Sequence, residues 1–435
     1  MYKQFWITTL LIPAICLGAH AQRATLVATY TLPRMSLSQF SNPACTEAVL
    51  QEAKTNGLKF TDLPSVGSGL AKAGPDEFWG INDRGPNGMS GGDEDNPMVF
   101  RTFPLPQFCP SIFRLKLAGN EIQITQTIPL TDTRGKLISG LSNLKGEERL
   151  YETPGVKTPL AYDEDGVDPE GIRVLPSGDF LLSEEYSPSI LVVATNGQIL
   201  MRYTPQSKPL PHATYPVKAI LPDIFARRRD NKGFENLALS ADGKFAYALL
   251  QTPMGSAKEQ RYAESRVIRM VKLDVSNPLD AKVVGEYLAL ESDASGYSAK
   301  QKQDKIGWSD ADWLAPDRLL VIERGKGLVK LVIVDFSAAS NILGRAEESS
   351  LALEDSTRDL AALNIRPALA HEIFSTRDLP GITSNKLEGL VILSPTEIAL
   401  SNDNDFGLGD NTTGEPSRVW LVRLAQPLAF GNGGK

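Results

Sequence analysis

Histidine and cysteine are almost missing from this chain of 435 residues, which holds three of each. One of each, Cys16 and His20, lies in the first 21 residues, so Cys45, Cys109, His212 and His371 are what remain for the rest of the chain. That scarcity excludes thiolate zinc centres and histidine-rich metal sites, and leaves little room for a Ser-His-Asp triad. Positive charge is also short. Lys and Arg number 45 against 52 Asp and Glu, a net charge of −7. Nucleic acid is therefore not expected as the main partner, although a local site can still oppose the global sign and take a small anion. After residue 21 there is no apolar run long enough to span a bilayer.

The first 21 residues read as an export signal: Lys3 at the positive end, an apolar stretch from Phe5 to Leu17, and a small-x-small cleavage site at Ala19-His20-Ala21. The alternative is a membrane anchor, for which the stretch is short. Cleavage after Ala21 leaves 414 residues, read as one domain, 22–435, and predicts a periplasmic or secreted monomer. In such an oxidising compartment Cys45 and Cys109 are expected to pair as a disulfide, closing a loop worth about 4 kcal/mol in the chain-entropy account. The alternative is two separate thiols.

What the chain does have is a phrase repeated five times. Its clearest copies are Asp168-Pro169-Glu170-Gly171-Ile172, Gly233-Phe234-Glu235-Asn236-Leu237 and Lys386-Leu387-Glu388-Gly389-Leu390. Each is followed by a short strand, a turn, and an apolar strand with a polar end: Ser183-Glu184-Glu185, Leu250-Gln251 and Ser401-Asn402-Asp403. Looser copies begin at Gly67-Ser68-Gly69-Leu70 and Trp308-Ser309-Asp310, and both end on the same triplet type, Asp83-Arg84-Gly85 and Glu323-Arg324-Gly325. A strand, a tight turn and a returning strand bring such ends side by side. Five hairpins of one design predict radial repetition about an axis: an all-β β-propeller, expected to have six or seven blades with loop and short helical insertions. Val27–Leu32 and Val419–Leu424 are expected to pair and close the ring. Thr46–Thr55 reads as a helix, 131–165 as an insertion over one face, Gly88–Asn96 as an acidic glycine-rich loop, and 338–370 as a helical insertion.

If the hairpin ends converge, like charges crowd at one mouth of the channel, and a cation or protons must neutralise them. The donors available are carboxylate and amide oxygens, which suit Ca²⁺ first and Mg²⁺ or Mn²⁺ next. The candidate metal ligands are Asp83, Glu170, Glu184, Glu235, Glu323, Glu388 and Asp403. Arg84, Arg266 and Arg324 are candidate anion binders, since guanidinium forks grip phosphate or carboxylate oxygens. Arg84, Arg324 and Glu184 are assigned to catalysis. A bland reading competes with each: the acids as turn caps, the Arg-Gly pairs as structural ion pairs, and Trp79, Trp308 and Trp313 as packing residues.

At these residues the sequence resembles the phytase-like family, described as having esterase-like activity, of exported proteins. The phrases carrying the resemblance run from about Val66 to Gly407 and include Asn82-Asp83-Arg84-Gly85, Asp168-Pro169-Glu170-Gly171-Ile172, Glu323-Arg324-Gly325 and Ser401-Asn402-Asp403-Asn404-Asp405. The resemblance implies a β-propeller that hydrolyses a small anionic ester, a phosphoester first, through a metal-bound water at the channel mouth. Carboxylic ester or lactone hydrolysis at the same place, and a non-catalytic propeller that binds a ligand or partner, are the other two readings. The lysine-rich pocket of the phytate-cleaving propellers is not evident, which leaves phytate itself unsupported.

Overall fold

A computed structural model describes residues 23–40, 45–89, 99–143, 148–152, 159–409 and 411–428. The expected export signal, the loop residues 90–98 and parts of the 131–165 insertion fall outside that set.

The chain is a β-propeller with five blades. Each predicted hairpin supplies the two inner strands of one blade. Blade 1 runs outward through Gly69–Lys72, Glu77–Ile81, Ser111–Ala118 and Glu121–Pro129. Blade 2 is Pro169–Val174, Phe180–Glu184, Ser189–Val193 and Ile199–Pro205, with Val217–Leu221 added in parallel at its rim. Blade 3 is Phe234–Leu239, Phe245–Leu250, Val267–Asp274 and Lys282–Leu290; blade 4 is Gly307–Ala315, Arg318–Gly325, Leu328–Asp335 and Ala368–Ser375. Blade 5 takes Leu387–Ser394, Glu397–Asn402 and Arg418–Leu424 from the end of the chain, and Ala24–Thr31 from its beginning as outermost strand. The five innermost strands pack against one another in sequence and close a ring. The expected six or seven blades are thus corrected to five. The reason is that stretches outside the five hairpins build outer strands and insertions rather than further blades. The expected closure by the two ends of the chain is observed, with Tyr30 opposite Val419 and Ala24 opposite Leu424.

Blade strands read as continuous apolar runs because both of their faces are buried. Neighbouring residues go to opposite interfaces. Leu181 packs with Leu237 and Val271 between blades 2 and 3, while Leu182 packs with Ile81 and Ile112 between blades 1 and 2. The other interfaces repeat the pattern, with Leu320, Leu390 and Trp420 between blades 4 and 5 and Met270, Leu319 and Val321 between blades 3 and 4. The predicted helix forms over Glu47–Thr55, where the Thr46 hydroxyl accepts from the Val49 amide. It covers the interface of blades 1 and 5 through Leu50 and Ala53. The 338–370 insertion holds two short 3-10 turns, Leu351–Leu353 and Ala361–Leu363. The expected Cys45–Cys109 disulfide is not formed. The two thiols are buried and not bridged to each other, and Cys109 donates to the Leu130 carbonyl at 3.3 Å while burial pushes its thiol up to about 12. Each packs as a small apolar residue.

The axis is occupied by one side chain. Arg173, buried on the inner strand of blade 2, donates to Leu70 O of blade 1 at 2.8 Å and pairs with Asp310 of blade 4 at 3.1 Å. It also reaches the carbonyls of Ala311 and Leu390. Asp310 in turn accepts from the Leu390 amide of blade 5 at 2.8 Å, so four blades meet at one ion pair.

Candidate functional site at the channel mouth

The site is made by two rings of side chains, one from each strand of the inner hairpins. In blades 2 to 5 the innermost strand carries one extra residue relative to its partner. A bulge of this kind re-aims a side chain that regular alternation would turn into the blade. The bulged positions are Glu170, Glu235, Ser309 and Glu388, and Ser68 corresponds to them in blade 1. On the returning strand, Asp83, Glu185, Arg324 and Asp403 each follow the first-ring residue by fifteen positions, and Gln251 follows Glu235 by sixteen. All five line the mouth, together with Glu170, Glu235 and Glu388 of the first ring. Backbone bonds fix the two rings beside each other: Glu185 N to Asp168 O at 3.0 Å, Gln251 N to Gly233 O at 2.9 Å, and Asp403 N to Lys386 O at 3.1 Å.

Neighbouring backbone adds Asp168, Lys386, Arg84 and Asp405, while Lys232 reaches in from a loop and Arg101 from the short strand Val99–Thr102. Eight carboxylates and five cations surround a cavity of about 230 Å³, an excess of three negative charges when all are ionised. The acids are unevenly compensated. Arg84 Nε pairs with Asp168 Oδ2 at 2.8 Å, its backbone amide donates to Asp168 Oδ1 at 3.1 Å, and its guanidinium lies over the Tyr186 ring. Arg324 pairs with Glu388 and lies 3.9 Å from Glu235. Lys386 is shared among Asp403 at 3.0 Å, Glu388 at 3.7 Å and Asp405. Burial opposes ionisation of Asp403, but Lys386 and the Ser65 hydroxyl outweigh it and hold that carboxyl at about 2.

Other carboxyls are under-compensated. Burial first, and neighbouring acids second, push Asp83, Glu170 and Glu235 well above the usual carboxylate range. Burial raises Glu185 to about 7 against the pull of Lys232 at 3.7 Å, and Asp405 likewise to about 7. Oxygens of Asp168, Glu170 and Glu185 lie within 4.8 Å of one another. Glu185 Oε1 and Glu235 Oε2 are buried with no hydrogen-bond partner. Orphaned buried carboxylate oxygens facing further carboxylates are what a hard divalent cation would satisfy. Among the described residues no thiol or imidazole lines the mouth, so the donor set fits an oxygen-loving ion.

Of the residues singled out from sequence, Asp83, Arg84, Glu170, Glu235, Arg324, Glu388 and Asp403 meet here. Three do not, and their expected placement is corrected. Glu184 is one residue too early on its strand, so alternation turns it into the blade. There it pairs with buried Arg202 at 3.0 Å and accepts from Ser187 and Ser189. Glu323 is displaced by the same single step, and accepts from Trp308 Nε1 and the Tyr297 hydroxyl. Arg266 lines a different cavity and donates to Glu291 O. Asp168, Glu185, Asp405, Lys386, Lys232 and Arg101 were not among those candidates. The fifteen-residue spacing singles out Glu185 over Glu184; no sequence signal marks Arg101 or Lys232.

The described residues contain no helix long and apolar enough to cross a membrane. Among curated proteins, an uncharacterized secreted protein of Arthroderma benhamiae is 28% identical over 184 residues, 36% of this chain and 36% of that protein, so the match spans about a third of the relative's length. Solved structures similar in chain course include a luciferin-regenerating enzyme, at 9% identity and TM-score 0.35 over 86% of this chain and 96% of that one. The periplasmic gluconolactonase of Pseudomonas aeruginosa is similar at 12% identity and TM-score 0.32, over 85% and 88%. Likenesses at that level say nothing about chemistry. The description "Phytase-like: Esterase-like activity of phytase" matches residues 66–406, most of the chain and all five inner hairpins: the chain belongs to the phytase-like family.

Proposed function

We propose that this chain is an exported ester hydrolase working at the acid-lined mouth with a divalent cation, Ca²⁺ before Mg²⁺ or Mn²⁺, and that its substrate is a small phosphoester. The observation that carries the reading is the meeting of Asp168, Glu170 and Glu185 within 4.8 Å, with Arg84 and Arg324 in the same cavity. Glu170, Glu185 and Glu235 would hold the cation, with Asp168 shared between it and Arg84; Glu388 and Asp403 are engaged by Arg324 and Lys386. A bound divalent cation supplies neutralisation of the acid ring and Lewis-acid activation of water and ester. Arg324 and Arg84 place guanidinium charge where phosphoryl oxygens would lie, and steady charge that develops there. Glu185, raised to about 7 by burial in the cation-free mouth, would give up its proton on binding the cation.

A second reading, carboxylic ester or lactone hydrolysis, is favoured by the charge count. With eight acids against five cations the cation-free mouth repels a phosphate once its raised carboxyls ionise, and at no pH repels a neutral ester. The full chain is to be assayed on p-nitrophenyl phosphate, phytate, p-nitrophenyl acetate and a simple lactone, with Ca²⁺ and with chelator. Cation-dependent phosphate release is the expected result. Turnover of the acetate or lactone alone selects the second reading. Negligible rates on all four, with Ca²⁺ still raising the melting temperature, replace both with a non-catalytic binding propeller.

A further inference from the structure

A second cavity, roomier than the mouth, is lined by residues outside it. A pocket of about 850 Å³ lies at the outer side of blade 3, where the 338–367 insertion folds over the ends of Val267–Asp274 and Lys282–Leu290. It shares no lining residue with the mouth. Its volume is within the range of small-molecule sites, roughly 300–1,000 Å³.

Three observations give it a ligand chemistry. Its floor is apolar: Val267, Leu353 and Ile365 are buried in one cluster, with Leu290 and Leu360 packed against them. Its wall is clamped. Arg269, fully buried, donates to Glu354 Oε1 at 2.6 Å, to Glu286 Oε1 at 2.7 Å, and to the carbonyls of Glu348 and Ser350 at 2.6 and 2.8 Å. Arg345 adds a bond to Leu363 O at 2.8 Å. A buried ion triad has a large desolvation cost, and this one holds in place an insertion that the five blades do not need for closure.

The rim charges are unequal in availability. Glu264 accepts from Gln260, Asp355 from Thr357, and Asp359 from the Ala361 amide, so the pocket's carboxylates are engaged locally. The exposed guanidinium groups of Arg358 and Arg366 make no hydrogen bond and no ion pair within 4 Å among the described residues. An apolar floor beneath two available guanidinium groups selects a ligand with an apolar body and an anionic head.

We propose that this pocket binds a small amphipathic anion, an alkyl or aryl carboxylate or phosphate, independently of whatever occupies the mouth. The full chain, kept in chelator so that the mouth holds no divalent cation, is titrated calorimetrically with decanoate, decyl phosphate, decanol and inorganic phosphate. One-site binding of either or both decyl anions is expected, with the preferred head group identifying the source. Decanol and inorganic phosphate should each bind at least tenfold more weakly. Arg358→Ala with Arg366→Ala should weaken the anion at least tenfold, about 1.4 kcal/mol. Ala338→Trp, which fills the pocket from an exposed position, should abolish binding, and Glu388→Gln at the mouth should leave it unchanged. The proposal is overturned if neither decyl anion saturates by about 1 mM, if Ala338→Trp binds as the parent does, or if Glu388→Gln removes the binding.

Discussion

Glu184 and Glu185 are adjacent in the chain and differ in everything that decides their roles. Glu184 is enclosed with Arg202, and its neutralisation strands a guanidinium that lies 0% exposed. Glu184→Gln should therefore destabilise the fold by about 3–5 kcal/mol, the usual cost of breaking a buried pair, with or without added cation. Glu185 faces other acids, so Glu185→Gln should leave chelated protein as stable or slightly more so, while weakening the stabilisation that Ca²⁺ confers. Chemical denaturation of both variants, with Ca²⁺ and with chelator, separates the two roles. Equal behaviour of the pair would refute the assignment of Glu185 to the mouth. The repeated acids and their convergence are legible in the chain because turn, strand and polar end recur at fixed spacing. The choice between Glu184 and Glu185 is legible only once the fifteen-residue spacing of the other blades is applied, whereas the turn of Glu170 toward the mouth is not, because nothing in Asp168-Pro169-Glu170-Gly171 announces the bulge that re-aims it. The cysteines misled for a related reason: an even count predicts a bridge, whereas packing decides whether two sulfurs meet.

The same acids set a pH dependence. Asp83, Glu170, Glu235, Glu185 and Asp405 all have folded values raised above their unfolded ones, the last two to about 7. A carboxyl of this kind binds more protons when folded, so its contribution is present at low pH and is lost as pH rises through the folded value. Asp403, held at about 2, runs the other way, and its contribution is lost only as pH falls from about 4 toward 2. Chelated protein should thus melt higher at pH 5.5 than at pH 8, and Ca²⁺ should recover most of the difference at pH 8. A melting temperature in chelator that rises between those two pH values would contradict the crowding of acids at the mouth.

At the scale of the element, the inner hairpins of blades 2 and 5 close up because glycine follows the acid. A Cβ on Gly389 would lie 2.1 Å from Ser401 Oγ and 2.9 Å from Leu70 Cβ of the next blade. A Cβ on Gly171 would meet Ser183 Oγ at 2.6 Å and Leu237 Cβ at 2.8 Å. The Glu-Gly phrase therefore has two jobs, an acid aimed at the mouth and a gap that lets adjacent inner strands close up. Gly389→Ala should destabilise the chain by about 1–3 kcal/mol through overpacking, measured as a lower denaturation midpoint with an unchanged slope. Its effect on Ca²⁺ response should exceed that of a control such as Gly74→Ala, whose added Cβ makes only ordinary contact with Glu77 at 3.5 Å. The five hairpins of one design were the blades themselves. Composition and period cannot tell an outer strand from a further blade, since both are short apolar runs bounded by turns; the blade count follows from which strands reach the axis.

At the scale of the whole molecule, five blades are held by the apolar interfaces between them and by one polar contact on the axis. Arg173 lines the cavity of about 220 Å³ at the far end of the channel and not the mouth, so it stands below the acid rings. Its guanidinium and the Asp310 carboxylate it faces are both buried, and between them they bond to the inner strands of blades 1, 2, 4 and 5. Burial lifts Asp310 to about 7 even with Arg173 pulling it down. Arg173→Met removes that pull and leaves a buried acid without its cation, which should cost about 3–5 kcal/mol. Asp310→Asn leaves the guanidinium only Asp312 as an ion-pair partner, at 3.7 Å, and should cost less than Arg173→Met. If the two act as one axle, the double variant should be less destabilised than the sum of the singles by more than about 0.5 kcal/mol, the limit of additivity for independent sites. Denaturant unfolding of the four proteins of this cycle measures that difference. Strict additivity would mean that the two side chains act independently, leaving the blades to their apolar interfaces and to the other polar contacts between inner strands, such as Ser309 Oγ to Leu387 O and Ser401 Oγ to Gly67 O.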